Sequence, residues 1–222
     1  MGVDAFLSPL LLTLRVAGLA TAAALLTGVV CAYVLARYRF PGRDWLDAVL
    51  TLPLVLPPTV LGYYLIVLIG RRGLLGKWLY DNFGLNLMFT WQGAVIAASV
   101  VAFPLVFKSA RAALEGVSAN LENAARTLGA SELEVFLRVS LPLALRGIMA
   151  GTMLALARAM GEFGATLMVA GNLPGKTQTL SLAVYSATQS GQDDLANALV
   201  VTISIVCVLI LVITSKLVKP KA

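Results

Sequence analysis

The sequence predicts an all-α integral membrane protein with about five transmembrane helices, and three observations predict it. Of 222 residues, 59% are hydrophobic and 13% charged, with a mean hydropathy of +0.88. Soluble domains run about 45–50% apolar and about 25% charged, so a soluble fold would leave this apolar surface with too little polar cover. Second, the stretches Val16–Ala36, Ala48–Gly70, Phe83–Phe107 and Leu195–Ser215 contain no Asp, Glu, Lys or Arg. About 20 such residues cross a bilayer core as a helix. Third, the chain has no histidine, and its two cysteines, Cys31 and Cys207, lie inside apolar runs. That leaves neither a disulfide nor a metal-ligand set to organise a small soluble fold.

The first span is expected over residues 9–37, with Ser8 as cap and Pro9 at the first helical position. No basic leader or small-residue cleavage site precedes it, so it reads as a structural span rather than a removed signal. Its run "GLATAAALLTG", Gly18–Gly28, permits close helix approach, and Arg15 is expected to snorkel to the interface. The second span, 47–70, carries Pro53, Pro57 and Pro58, which remove backbone donors inside a helix. They read either as a structural kink or as part of a transport pathway, where a cavity satisfies the freed carbonyls. The third span is placed at 88–110 and the fifth at 194–217. The fourth, 143–168, is apolar except for Arg158 and Glu162, four residues apart and so on one helix face. Ionisable residues inside a membrane are costly. This pair therefore either borders a pathway or is an ion pair that only holds packing. Trp45, Trp78 and Trp91 fall near the expected interfaces.

Five spans put the termini on opposite sides. With the N-terminus outside, the inner segments hold eleven basic residues: Arg37, Arg39, Arg43, Lys108, Arg111, Arg126, Arg138, Arg146, Lys216, Lys219 and Lys221. The outer segments hold four: Arg71, Arg72, Lys77 and Lys176. Cytoplasmic loops carry the basic excess, which favours N-terminus out and C-terminus in. The net charge of +6 then belongs to these loops rather than to a nucleic-acid surface.

This orientation sends residues 115–142 into the cytoplasm, a charged, helix-forming insert in an apolar chain. Ser118 is a candidate cap, and Leu121, Ala124, Ala125 and Leu128 recur at helical spacing. Gly129 suits a left-handed helix end. Ser131 with Glu134 reads as a capping box opening the next helix, and Val135, Val139 and Leu143 continue an apolar stripe toward the fourth span. The small side chains of Ala124 and Ala125 allow the first helix to enter a groove on a partner; packing against its own protein is the alternative.

The stretch "ENAARTLGASELEVFLRVSLP" closely resembles the cytoplasmic motif of the membrane subunits of ABC importers. Ala124 and Ala125 take the alanine places, Arg126, Thr127 and Leu128 the three spacers, and Gly129 the glycine. Ala130 to Arg138 fill the nine-residue gap, Val139 stands for isoleucine, and Leu141-Pro142 close the motif. Asn123 occupies the usual glutamate place with Glu122 just before it, so either side chain could meet the partner. The resemblance implies a type I importer permease whose coupling helix, within Leu121–Ala130, sits in a groove on an ATPase subunit. Closure of two such subunits would draw two coupling helices together and switch a permease homodimer between inward-open and outward-open states. This chain has no "GxxxxGK[ST]" phosphate loop. It is therefore expected to bind no cofactor itself and to be no enzyme, with ATP and Mg held by the partner ATPase subunits.

"LPLVLPPTVLGYYL" (Leu52–Leu65), "GRRGLLG" (Gly70–Gly76) and "ARAMGEFGATLMVAGNLPGKTQTL" (Ala157–Leu180) resemble the molybdate/tungstate permeases of that family, with sulfate permeases as near relatives. The resemblance implies a prokaryotic cell-membrane protein that receives its oxyanion from an extracytoplasmic binding protein. The segments Gly70–Thr90 and Gly171–Asp194 are its expected docking surface, and Pro57, Pro58, Arg158, Glu162 and Gly164 are the pathway or gate candidates. Sulfate or thiosulfate is the alternative cargo, since all are tetrahedral dianions. A passive anion channel or a membrane enzyme are the alternatives of another class; a channel leaves the insert unexplained, and an enzyme lacks histidine and a convincing nucleophile–base pair.

Overall fold

The computed structural model describes residues 4–218, and every described element is helical. In chain order these are α1 (Asp4–Arg37), α2 (Arg43–Val55), α3 (Pro58–Ile69), α4 (Leu74–Phe83), α5 (Trp91–Glu115), α6 (Ala119–Thr127), α7 (Glu132–Val135), a π turn (Phe136–Ser140), α8 (Leu141–Met160), α9 (Gly164–Ala170), α10 (Leu180–Gln189) and α11 (Asp193–Val218). Four continuous helical stretches are long and apolar enough to cross a membrane, and the bent pair α2–α3 makes a fifth.

Helix α5 is the central column, with α1, α2, α8 and α9 packed around it. Its buried positions are mostly small: Gly93, Ala94, Ala97, Ala98, Ala102 and Ala110 are all covered. Lipid tails are as apolar as leucine, so helices in a membrane gain association through close backbone approach at small residues. The small-residue run of α1 serves the same contact. Ala17, Ala20 and Ala24 are buried against α5, while Leu19, Leu26 and Val30 face outward.

Three expected boundaries change. Helix α1 starts at Asp4, with Pro9 inside it rather than opening it. So near a helix start, proline costs at most one backbone bond. The second span is not a kinked rod but two half-helices, α2 and α3, turning through 116°. Pro57 and Pro58 lack adjacent donors, and each forces the residue before it out of the helical region. Leu56 accordingly lies at ψ 141° and Pro57 at ψ 140°. The fourth span also breaks: α8 ends at Met160, and α9 starts only at Gly164.

The long axis of α5, about 37 Å for its 25 residues, separates two ends of the molecule. At its start, the Arg15 guanidinium lies 3.7 Å over the Trp91 ring, and the Phe89 N–H donates to the Val169 carbonyl at 3.0 Å. The Leu180 N–H donates to the Thr13 hydroxyl there at 2.8 Å. The segments around Phe89 and Gly175, both expected on the outer side, line one shared depression with Arg15. At the other end of α5 lie the end of α1, the start of α2 and all of α6. Lys108 and Arg111 bind Asp47 at 2.7 and 2.5 Å, and Arg43 and Arg111 share Glu115 at 3.0 and 2.9 Å. Arg37, Arg43, Lys108 and Arg111, all assigned to the inner side, thus gather at this end together with carboxylates. Lys219 and Lys221 lie outside the described residues.

Candidate functional site

Two constellations stand out, one at the α6 end and one where the broken helices meet. The first begins with local chemistry. Helix α6 ends in a Schellman turn: the Gly129 N–H donates to the Arg126 carbonyl at 2.9 Å and the Ala130 N–H to the Ala125 carbonyl at 3.1 Å. Gly129 sits at φ +86°, where a side chain is strained. Ser131 then opens α7 with the full capping box. Its hydroxyl accepts from the Glu134 N–H, and the Glu134 carboxylate accepts from the Ser131 N–H at 3.0 Å. Hydrogen bonding to the Ser131 backbone and hydroxyl, with Arg138 nearby, holds the Glu134 carboxyl below the usual glutamate range. Arg126 reaches across the turn to Glu132 with Nε at 2.6 Å and Nη2 at 3.0 Å, and this lowers the Glu132 carboxyl in the same direction. Two helix ends and one forked ion pair therefore fix the helix–turn–helix shape.

What this hairpin presents is unusual. Leu121 is 51% exposed and Leu128 88%, and Ala124 between them is exposed as well. Asn123, Thr127 and Gly129 are exposed, while Ala125, Arg126 and Ala130 are half-buried. Glu122 is the one buried residue of α6. Its carboxylate is 3% exposed, pairs with Arg37 at the end of α1, and accepts a hydrogen bond from the Ser140 hydroxyl at 2.5 Å. Of the two polar side chains expected to be able to meet a partner, Glu122 is therefore turned inward, and Asn123 is exposed, its side-chain oxygen accepting from Arg126 Nη1 at 2.9 Å. Val139 is half-buried, Leu141 half-buried and Pro142 exposed. They lie at the π turn and at the first turn of α8, where Pro142 needs no donor.

In the second constellation the structure brings the pathway candidates together. Helices α3 and α9 pack on each other. A Cβ on Gly164 would stand 2.8 Å from Pro58 Cβ, and one on Gly62 would stand 2.6 Å from Met168 Cβ. Both half-helices thus start at the same place, and glycine is what allows the contact. Arg158 and Glu162 do form an ion pair, at 2.9 Å, although Glu162 lies beyond the end of α8. Glu162 is 2% exposed, and its other oxygen accepts from the Ala165 N–H at 2.8 Å, capping α9. A buried carboxylate needs such partners. Here they explain the break, because Glu162 satisfies a helix start rather than a helix interior.

Sequence reasoning missed Arg37 and Ser140 as partners of Glu122 and counted Arg37 only as an inner charge. The contact joins residues 85 positions apart, which no periodicity encodes. One further stretch, Ala170–Thr177, comes within one glycine of a phosphate loop. Yet it follows a helix, and the Thr177 side chain is buried, accepting from the Leu173 N–H at 3.0 Å. Nothing there is arranged as the strand–loop–helix cradle that phosphates require. Among the described residues no cluster of three or more metal-ligating side chains occurs.

Comparison with known proteins agrees with this architecture. Residues 24–220 match the family described as binding-protein-dependent transport system inner membrane component. The chain is 48% identical over 204 residues to the molybdenum transport system permease protein ModB of Escherichia coli strain K12, covering 91% of this chain and 89% of that one. It is 37% identical over 213 residues to the sulfate transport system permease protein CysW of a Synechocystis species, covering 96% and 77%. The inward-facing MetNI methionine ABC transporter shares the fold at a TM-score of 0.75 and 19% identity, with 96% of this chain and 94% of that chain covered. The chain belongs to the family of binding-protein-dependent transport system inner membrane components, as a multi-pass permease subunit of an ABC importer.

Proposed function

We propose that this permease carries molybdate or tungstate inward, delivered by an extracytoplasmic oxyanion-binding protein and driven by two separate ATPase subunits that hold ATP and Mg. The observation that carries the ATPase part is the exposed face of α6. Leu121, Ala124 and Leu128 present an apolar, small-centred surface on a hairpin fixed at both ends, ready to enter a groove. The α6 end then faces the cytoplasm, with the N-terminus outside. Asn123 is the polar contact at its edge. Two copies of the chain flank the pathway around a twofold axis. Each contributes the meeting point of α3 and α9, where Pro57, Pro58 and Gly164 shape a gate and Arg158 with Glu162 anchors it. Arg158 is already neutralised by Glu162, so this point offers passage rather than tight capture, and selectivity rests mainly with the binding protein.

The molybdenum reading draws its support from the 48% identity to ModB over 91% of the chain, against 37% for the sulfate relative. The test is uptake of labelled molybdate and sulfate into vesicles holding permease, ATPase and binding protein, with and without ATP. ATP-dependent molybdate uptake that excess sulfate does not compete is the expected result. Sulfate uptake instead overturns the cargo, and equal uptake without ATP overturns the importer mechanism.

A further inference from the structure

The attachment of α6 to the rest of the molecule is peculiar. A short helix normally anchors through an apolar face, but the single buried residue of α6 is Glu122. Its carboxylate joins three other elements. Arg37, the last residue of α1, pairs with it and also donates from Nη2 to the Leu114 carbonyl near the end of α5 at 3.0 Å. Ser140, the last residue of the π turn leading into α8, donates to it at 2.5 Å and is 1% exposed. One turn before Arg37, the Tyr33 ring lies 4.5 Å from the Phe136 ring, so α1 touches the start of the π turn directly and reaches its end, Ser140, through Glu122. Single π turns inside helices occur frequently at functional sites.

We propose that Arg37, Glu122 and Ser140 form a polar clasp that transmits displacement of α6 to the ends of α1, α5 and α8. Glu122 is a positioning residue in this arrangement, and it touches neither cargo nor ATPase. The physical reason is directionality. Apolar surfaces slide past one another at little cost, whereas a buried carboxylate held by a guanidinium and a hydroxyl resists shear, because any slip leaves a charge unpaired. A pull on the exposed face of α6 therefore arrives at three membrane helices together.

The inference rests on the importer reading, and its test separates the two. Molybdate uptake and ATP hydrolysis are measured in the same vesicles containing the complete importer, and ATPase co-purification is scored for each variant. Glu122→Gln keeps an acceptor for Ser140 but removes the charge facing Arg37. The double variant Arg37→Met/Glu122→Leu replaces the pair by apolar side chains, an exchange that often preserves stability. The expected result is that both variants still assemble with the ATPase and hydrolyse ATP, while molybdate carried per ATP falls about ten-fold, within the usual range of coupling between sites. Normal uptake per ATP in either assembled variant overturns the clasp. If Glu122→Gln fails to assemble, the double variant decides: uncoupled supports the clasp, coupled overturns it. Failure of both to assemble also overturns it, since the cluster would then only hold the fold of α6. If the wild-type importer itself carries no molybdate, the cargo reading fails instead.

Discussion

Gly129 concentrates the residue-scale chemistry. At φ +86° it closes α6, and any β-carbon there is strained by roughly 1–2 kcal/mol. Gly129→Val is expected to leave the protein in the membrane fraction but to abolish retention of the ATPase and, with it, uptake. A pull-down with tagged ATPase checks this, and undiminished retention would remove the docking role of the hairpin. Glu134 and Glu132 permit a pH prediction. Both carboxyls are lowered from the ordinary glutamate value of 4.5 by their bonds to Ser131 and Arg126. Their contribution to the hairpin is therefore complete above that value and is lost as pH falls through the lower folded value. Both groups are exposed, so the effect is modest and weakens with salt. Amide protection at Glu134, corrected for intrinsic exchange, should drop on acidification below the ordinary glutamate value of 4.5 and stay flat through neutral pH.

At the scale of elements, the two helix breaks are one feature. Prolines stop α2 and start α3, and Glu162 stops α8 and caps α9. The breaks touch because Gly164 has no side chain against Pro58. Gly164→Ala places a methyl 2.8 Å from Pro58 Cβ, and overpacking of this kind costs about 1–3 kcal/mol. Thermal unfolding in detergent should show that loss, and uptake should slow with ATPase docking retained. Unchanged uptake would take the α3–α9 contact out of the gate. Glu162→Gln tests the same place differently. It weakens a charge-assisted cap, worth about 2 kcal/mol, and leaves Arg158 without its counter-ion. Arg158→Gln in the Glu162→Gln background should recover part of that loss.

For the whole molecule, one chain encloses little. Helix α2 buries no residue, and Leu52, Leu54, Val55, Tyr63 and Tyr64 of the broken pair are all exposed. Lipid covers some of this surface, and the homodimer proposal assigns part of it to a second copy. Native mass spectrometry of the purified importer is expected to show two permeases with two ATPases. A one-to-one complex with full uptake would reject the twofold pathway.

The sequence by itself determined the class, the apolar segments, the segregation of basic residues and the capping signals around Gly129 and Ser131. All of these are local, written in hydropathy over about 20 residues or in side chains three or four positions apart. The exposed face of α6 was written there too, although whether it faces outward was not. Only the tertiary structure decided that Glu122 points inward, that the second and fourth spans are broken, and that the breaks meet. The inward turn of Glu122 and the meeting of the breaks depend on contacts between residues far apart in the chain, Arg37 with Glu122 and Pro58 with Gly164, while each break is made by neighbours, Pro57 with Pro58 and Glu162 with Ala165, inside runs that hydropathy reads as continuous. Periodicity along a chain marks which face of a helix is apolar, but which distant charge neutralises a carboxylate is fixed only when the helices pack.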